Sequence, residues 1–235
     1  MSAIEHYLAR PWLAPYPPGV PASVQIPRKS LPQAFDEATE RDPRRPAVIF
    51  YGRRITYGEL REAADRLANA LAALGVRKGD RVALYLLNSP QFIIAYFAAL
   101  KCGATVTPIS PVYTSHEVRH QLEDSGAKTV ICQDILHEKV EKAGVALERV
   151  VVTGIHEYLP PMKRLFAKKA PVARGANVHA FQALIEAHPA QAPAVSLDPE
   201  NDLAALPYTG GTTGNPKGVM LTHQNLMAAQ AAGQA

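Results

Sequence analysis

The chain has 235 residues, 47% of them apolar and 20% charged, a balance that excludes an intrinsically disordered polymer and is long enough for a substantial core. Its formal charge of +4 is local: without Lys163, Arg164, Lys168, Lys169 and Arg174, which lie in an acid-free stretch, 20 basic face 21 acidic residues, so the chain as a whole is not a nucleic-acid-binding surface. The longest uninterrupted apolar run, residues 92–100, has nine residues, whereas crossing a bilayer takes about 20.

The N-terminus, MSAIEHYLARPWL, has no basic segment followed by an apolar one, which argues against a secretory signal. Cys102 and Cys132 are isolated and read as buried free thiols of a reducing cytosol, so a cytoplasmic location is expected. Residues 1–29 are proline-rich and read as an irregular, partly extended arm, set apart from residues 30–235. Ser30 is a candidate N-cap for a helix through about Arg41 that buries Leu31, Ala34, Phe35 and Ala38. AVIFYGRRITY reads as a hairpin around Gly52-Arg53.

Thr56 and Glu59 form a capping box ahead of a helix whose Leu60, Ala64, Leu67, Leu71 and Leu74 line one face, with Gly75 as its stop. A strand follows that is apolar from Val82 to Leu87, as a sheet covered on both faces requires. Pro90 opens another helix, ended by Gly103, and ATVTPIS is a short strand. Thr114 and Glu117 make a second capping box, with Gly126 as the stop. AKTVIC and RVVVTG are two further strands around a helix near residues 135–143. Residues 155–178 and 189–201 read as loops. DLAALPYT reads as a buried strand feeding a glycine-rich run, and Thr222 caps a final helix in which the chain stops, as though cut. Alternating strands and helices predict an α/β fold, a mainly parallel sheet flanked by helices.

The run itself, YTGGTTGNPKGV at 208–219, carries the chemistry. Placed between a strand and a helix, Gly210, Gly211 and Gly214 would let successive N–H groups face an anion, Thr209, Thr212 and Thr213 add hydroxyl donors, and Lys217 adds a cation. A triphosphate is the natural ligand. The run is not a Walker A loop, because Pro216 precedes Lys217 and Gly218 follows it. It is not a dinucleotide fingerprint either, because Thr213 and Pro216 occupy glycine positions counted from Gly211. What it resembles is the phosphate loop of adenylate-forming enzymes, the superfamily of acyl-CoA synthetases, luciferases and peptide-synthetase adenylation domains. Residues 208–219 match that family's pattern throughout. The stretch from ITYGELREAADRLANALAALGV to HQLEDSGAKTVI resembles the front half of the superfamily's large domain. PWLAPYPPGVPAS, PVYTSHEVRHQLEDSGAK and the YTGG spelling are similar to bacterial long-chain fatty-acid–CoA ligases in particular.

The resemblance implies ATP-dependent activation of a fatty acid to an acyl-adenylate and then, with coenzyme A, to the acyl thioester, with release of pyrophosphate and AMP. It implies that Thr209, Gly210, Gly211, Thr212, Thr213, Gly214 and Lys217 hold the β- and γ-phosphates and that Thr209 sits beside Mg²⁺. The family's later motifs, including the adenylation lysine, do not occur in these residues, so the lysine is expected beyond residue 235 and the segment alone is expected not to catalyse. Rivals are an aryl-CoA ligase, a peptide-synthetase adenylation domain, a non-catalytic binding module, and a phosphoryl-transfer enzyme whose product would be ADP. The expected partners are small molecules and not nucleic acid, and the family resemblance admits a homodimer.

His223 has two readings, a substrate residue near the acyl pocket or a helix-terminal histidine bonded locally. Asn225 reads as capping support, Tyr208 as packing at a strand end, and Asp80 as turn chemistry. His116 and His120 have metal-ligand spacing but no third ligand in reach, so a solvated helix face is favoured. PMKRLFAKKAP, residues 161–171, is either a solvated loop or a short basic amphipathic element for peripheral contact with an anionic membrane, at its inner, cytoplasmic face.

Overall fold

A computed structural model of the chain describes residues 2–172, 175–210 and 216–233. The arm is not wholly irregular. Helix α1 spans Ala3–Leu8, because Ser2 and Glu5 close a capping box ahead of the first proline, and a single 3-10 turn follows at Pro11–Leu13. Helix α2 (Leu31–Arg41) starts at the N-cap Ser30, and its buried positions are Pro32, Phe35 and Thr39. Strands β1 (Pro46–Phe50) and β2 (Arg53–Thr56) pair antiparallel. Their turn is Tyr51-Gly52, one residue earlier than expected. Both residues have positive φ, 50° and 93°, which suits the right-handed twist of a two-residue hairpin.

Helix α3 (Tyr57–Ala73) has the predicted Thr56–Glu59 box and buries Leu60, Ala64, Leu67 and Leu71. Then come β3 (Arg81–Tyr85), α4 (Pro90–Lys101), β4 (Thr105–Pro108) and α5 (Ser115–Ser125), the last with its Thr114–Glu117 box and Gly126 stop in place. Strand β5 (Thr129–Gln133), α6 (His137–Ala143) and β6 (Arg149–Thr153) follow. The stretch read as a loop over 155–178 contains a 3-10 turn at Ile155–Tyr158 and helix α7 (Pro161–Leu165), which Pro161 pre-organises at its first position. At its end begins β7 (Val178–Ala180), an edge strand, and α8 (Phe181–Ala187) comes next.

Seven strands form the main sheet in the order β11-β8-β4-β3-β5-β6-β7, where β8 is Leu203–Ala205 and β11 is Leu221–Thr222. Every pairing is parallel except β11 against β8, so the sheet is mainly parallel with one antiparallel edge. Period-two alternation splits its two faces. Val82, Leu84, Ile131 and Val151 join the core under α3 and α4, while Ala83, Tyr85, Val130, Cys132, Val150 and Val152 join the core under α5 and α6. Both cysteines are buried free thiols, and desolvation pushes the Cys102 thiol up to about 12. Lys101, itself buried, ties three helices together: its Nζ lies 2.7 Å from Asp36 on α2 and 2.6 Å from Asp65 on α3.

The expected single strand DLAALPYT is broken. The Leu206 N–H still donates to Val106 of the main sheet, but Pro207 has no N–H to continue the ladder. Beyond it, β9 (Tyr208–Thr209) leaves the main sheet and pairs antiparallel with β10 (Lys217–Gly218). The described residues on either side of the glycine-rich run are therefore the paired legs of a hairpin, and the run is not followed directly by a helix. The helix N-terminus comes only after β10 and β11, where α9 (His223–Ala232) begins with a Thr222–Asn225 capping box. At the other end of α9 the Gly233 N–H donates to the Ala229 carbonyl.

Candidate functional site

In open α/β sheets, ligands bind beyond the carboxyl ends of the strands. The β9–β10 hairpin stands there, on the chain leaving β8. Thr209 and Lys217 are opposite one another in its register, and both are exposed. Gly210 has open space where a Cβ would be. A hydroxyl and a cation thus face each other across the mouth of a turn with an unobstructed glycine beside them, a donor set suited to an anion. Among the described residues Lys217 makes no ion pair. Gly211, Thr212, Thr213 and Gly214 lie outside the described residues. Gly218 packs closely: a Cβ there would lie 3.0 Å from Leu206 Cδ1 and 3.2 Å from Tyr208 Cε2, so those side chains would have to give way.

Both legs of the hairpin are anchored to α5. The Tyr208 hydroxyl donates to Asp124 Oδ2, and that carboxylate and burial push the phenol up, with burial the larger cause. One helical turn away, His120 Nε2 lies 3.3 Å from the Pro216 carbonyl oxygen. Tyr208 therefore packs at the strand end as expected, and it also carries a specific tether. His116, Glu117 and His120 border a small cavity of about 80 Å³ against Pro216. Among the described residues no group of three or more His, Cys, Asp or Glu is placed to hold a metal. His120 serves this junction, while His116 is exposed and only borders the cavity beside it.

His223 lies behind the hairpin, only 1% exposed. Its Nδ1 accepts the N–H of Leu31, the first residue of α2, at 3.2 Å, and its backbone N–H donates to the Asp202 carbonyl. Burial pushes the imidazole down to about 4; Asp202 opposes this and Lys78 adds to it. Asn225 Oδ1 accepts the Thr222 N–H at 3.0 Å, the capping support its position predicts. Asp80 accepts the Arg77 N–H, which is turn chemistry.

Residues 35–234 match the family of AMP-binding enzymes. The chain belongs to that family. This AMP-binding family member is 37% identical over 229 residues to a long-chain-fatty-acid–CoA ligase of Bacillus subtilis (strain 168), a match covering 93% of this chain and 41% of that protein. It is 35% identical over 184 residues to 4-coumarate–CoA ligase 3 of Oryza sativa subsp. japonica, covering 77% of this chain and 29% of that one. Among solved structures it resembles a long-chain-fatty-acid–CoA ligase from Archaeoglobus fulgidus, with a TM-score of 0.74 and 32% identity over 91% of this chain and 40% of that one. The chain spans less than half the length of these relatives.

Sequence reasoning missed two features of this AMP-binding chain. One is the α5 tether, whose residues Asp124 and His120 lie far from the hairpin in sequence and read as ordinary helix-face polar residues. The other is a cavity of about 520 Å³ at the carboxyl ends of β6 and β7, bordered by Asp134, His156, Glu157 and Lys169 among others. In it burial raises the Glu157 carboxyl, whose Oε2 accepts from the Thr153 hydroxyl at 2.6 Å.

Proposed function

We propose that the chain is the front part of the large domain of an AMP-forming acid–thiol ligase that activates a fatty acid, with residues 30–235 in the adenylation domain and 1–29 as its N-terminal arm. The observation that carries this reading is the hairpin of Thr209 and Lys217 about an open glycine, set at the carboxyl end of a parallel sheet in a chain of the AMP-binding family.

The overall reaction has two displacements. A carboxylate oxygen bonds to the α-phosphorus of ATP, and the bond to the bridging oxygen breaks, releasing pyrophosphate. The coenzyme A sulfur then bonds to the acyl carbon, AMP leaves, and the thiol proton goes to solvent or a base. In the first step two anions meet and charge builds on the leaving pyrophosphate. Thr209, Gly210, Gly211, Thr212, Thr213, Gly214 and Lys217 hold the β- and γ-phosphates, and the Lys217 ammonium offsets that growing charge. The donor set fits phosphate better than a bare metal: Thr209 brings one neutral hydroxyl, so a Mg²⁺ here would take phosphate oxygens for its other ligands. When bound, it would supply further neutralisation of the leaving group. The chain's own residues place the phosphates.

The test is ATP–pyrophosphate exchange by the full-length protein with a panel of carboxylic acids. Exchange stimulated by medium- and long-chain fatty acids supports the reading. Exchange with hydroxycinnamic or benzoic acids alone moves it to an aryl-CoA ligase, the alternative favoured by the match to 4-coumarate–CoA ligase 3. Exchange with amino acids alone points to an adenylation domain of a peptide synthetase. Absence of exchange with every acid leaves a non-catalytic nucleotide-binding module, and ADP as product would overturn the reading.

A further inference from the structure

We propose that α7 and the tip of the β1–β2 hairpin form one face that seats on an anionic lipid bilayer. Met162, Leu165 and Phe166 are 77%, 79% and 80% exposed, and beside them Ile49 and Tyr51 are 67% and 58% exposed. Large apolar side chains this open, grouped rather than scattered, mark a contact surface. The two segments are joined: the Lys163 ammonium lies 5.4 Å from the centre of the Tyr51 ring.

The charge carried by the hairpin, by α7 and by the residues that follow α7 is of one sign. Arg53 and Arg54 flank the hairpin turn, and Lys163, Arg164, Lys168 and Lys169 flank α7. None of these six makes an ion pair among the described residues. No acid occurs between Leu159 and Asn177 in sequence. The nearby carboxylates are engaged inward: Asp134 accepts the Ala170 N–H, and Glu157 is bonded to Thr153 and the Gly154 N–H.

An apolar centre in a basic rim is the composition of an element lying in the headgroup region, its side chains dipping into acyl chains while its cations meet anionic lipid. A second copy of this chain fits poorly, because a self-complementary contact would bring two sets of six cations together. Single-stranded nucleic acid fits less well, since Met162, Leu165 and Ile49 offer no stacking face and, of the two exposed rings, Tyr51 already carries the Lys163 ammonium, which leaves Phe166 alone. The proposal does not rest on the adenylation reading, because vesicle binding requires no turnover.

The test is flotation of the full-length protein with vesicles of phosphatidylcholine alone and of phosphatidylcholine with one quarter phosphatidylglycerol. Wild type should float with the anionic vesicles and not the neutral ones, and less so in 0.5 M salt. K163E/R164E/K168E/K169E and M162S/L165S/F166S should each weaken partitioning at least tenfold. Charge reversal at Lys128 and Lys142, on another face, should leave it within twofold. Unchanged circular dichroism in the variants distinguishes lost contact from lost fold, and R53E/R54E provides an independent variant on the other segment. Failure of wild type to float, or flotation of the α7 and hairpin variants to the same extent as wild type, overturns the proposal. So does patch-dependent dimerisation, patch-dependent binding of single-stranded RNA in place of vesicles, or protection of 161–166 from modification by the rest of the full-length chain.

Discussion

The buried His223 leads to a prediction that separates its two readings. Its Nδ1 accepts the Leu31 N–H, so protonation would set two hydrogens against each other at the positive end of α2 and in a site shut off from water. With the imidazole at about 4 folded against 6.5 unfolded, the unfolded state binds the proton more tightly, and stability falls as pH drops through 6.5. The linkage relation makes the loss about 2 kcal/mol by pH 5 and about 3 kcal/mol once pH is below 4. A urea-unfolding series on the full-length protein at pH 7.5 and pH 5 measures it. Other titrating groups cancel when His223→Gln is measured alongside, because glutamine can still accept the Leu31 N–H but does not titrate. Wild type should lose about 2 kcal/mol more than His223→Gln over that interval, and exchange of the Leu31 amide should speed up with it. Equal pH slopes for the two proteins would refute the reasoning. A histidine that served only the substrate would leave unfolding unchanged and alter the KM for the acid.

Lys217→Ala is expected to slow adenylation more than it weakens ATP binding, read as the pre-steady-state burst of pyrophosphate against the nucleotide Kd; an unchanged burst rate would remove Lys217 from the phosphate site. Tyr208→Phe deletes the tether to Asp124, a charge-assisted bond worth about 1 kcal/mol at this solvent-exposed pair. It should accelerate amide exchange at Thr209 and Gly218 and raise the KM for ATP several-fold with little change in Tm, whereas Asp124→Asn, which keeps an acceptor, should be milder. Lys101→Ala removes the cation shared by Asp36 and Asp65. Since Asp36 is partly open to water, the loss should be about 3 kcal/mol rather than the upper end for buried pairs, measured by denaturant unfolding.

Much of the fold was legible because its signals are local. Thr56 with Glu59 and Thr114 with Glu117 start their helices from residues three apart, and the apolar run through β3 shows burial on both faces without any knowledge of what covers it. The short elements α1 and α7 were hidden by proline content, since proline ends helices but also begins them. The same ambiguity misplaced the glycine-rich run. Strand, glycines and a later helix suggested a helix N-terminus at the loop, but Pro207 breaks the strand and the chain returns through β10 before α9 begins.

The order of residues was sufficient to determine the alternation of strands and helices, the family motif and the confinement of positive charge to one segment, since each depends on neighbours along the chain. Only the tertiary structure decided that the motif is a hairpin tethered to α5, that His223 closes the N-terminus of α2 from 192 positions away, and that Lys163 meets Tyr51. Those contacts join groups whose sequence separation carries no periodicity. They exist because packing helices on both faces of the parallel sheet brings these segments within reach of one another.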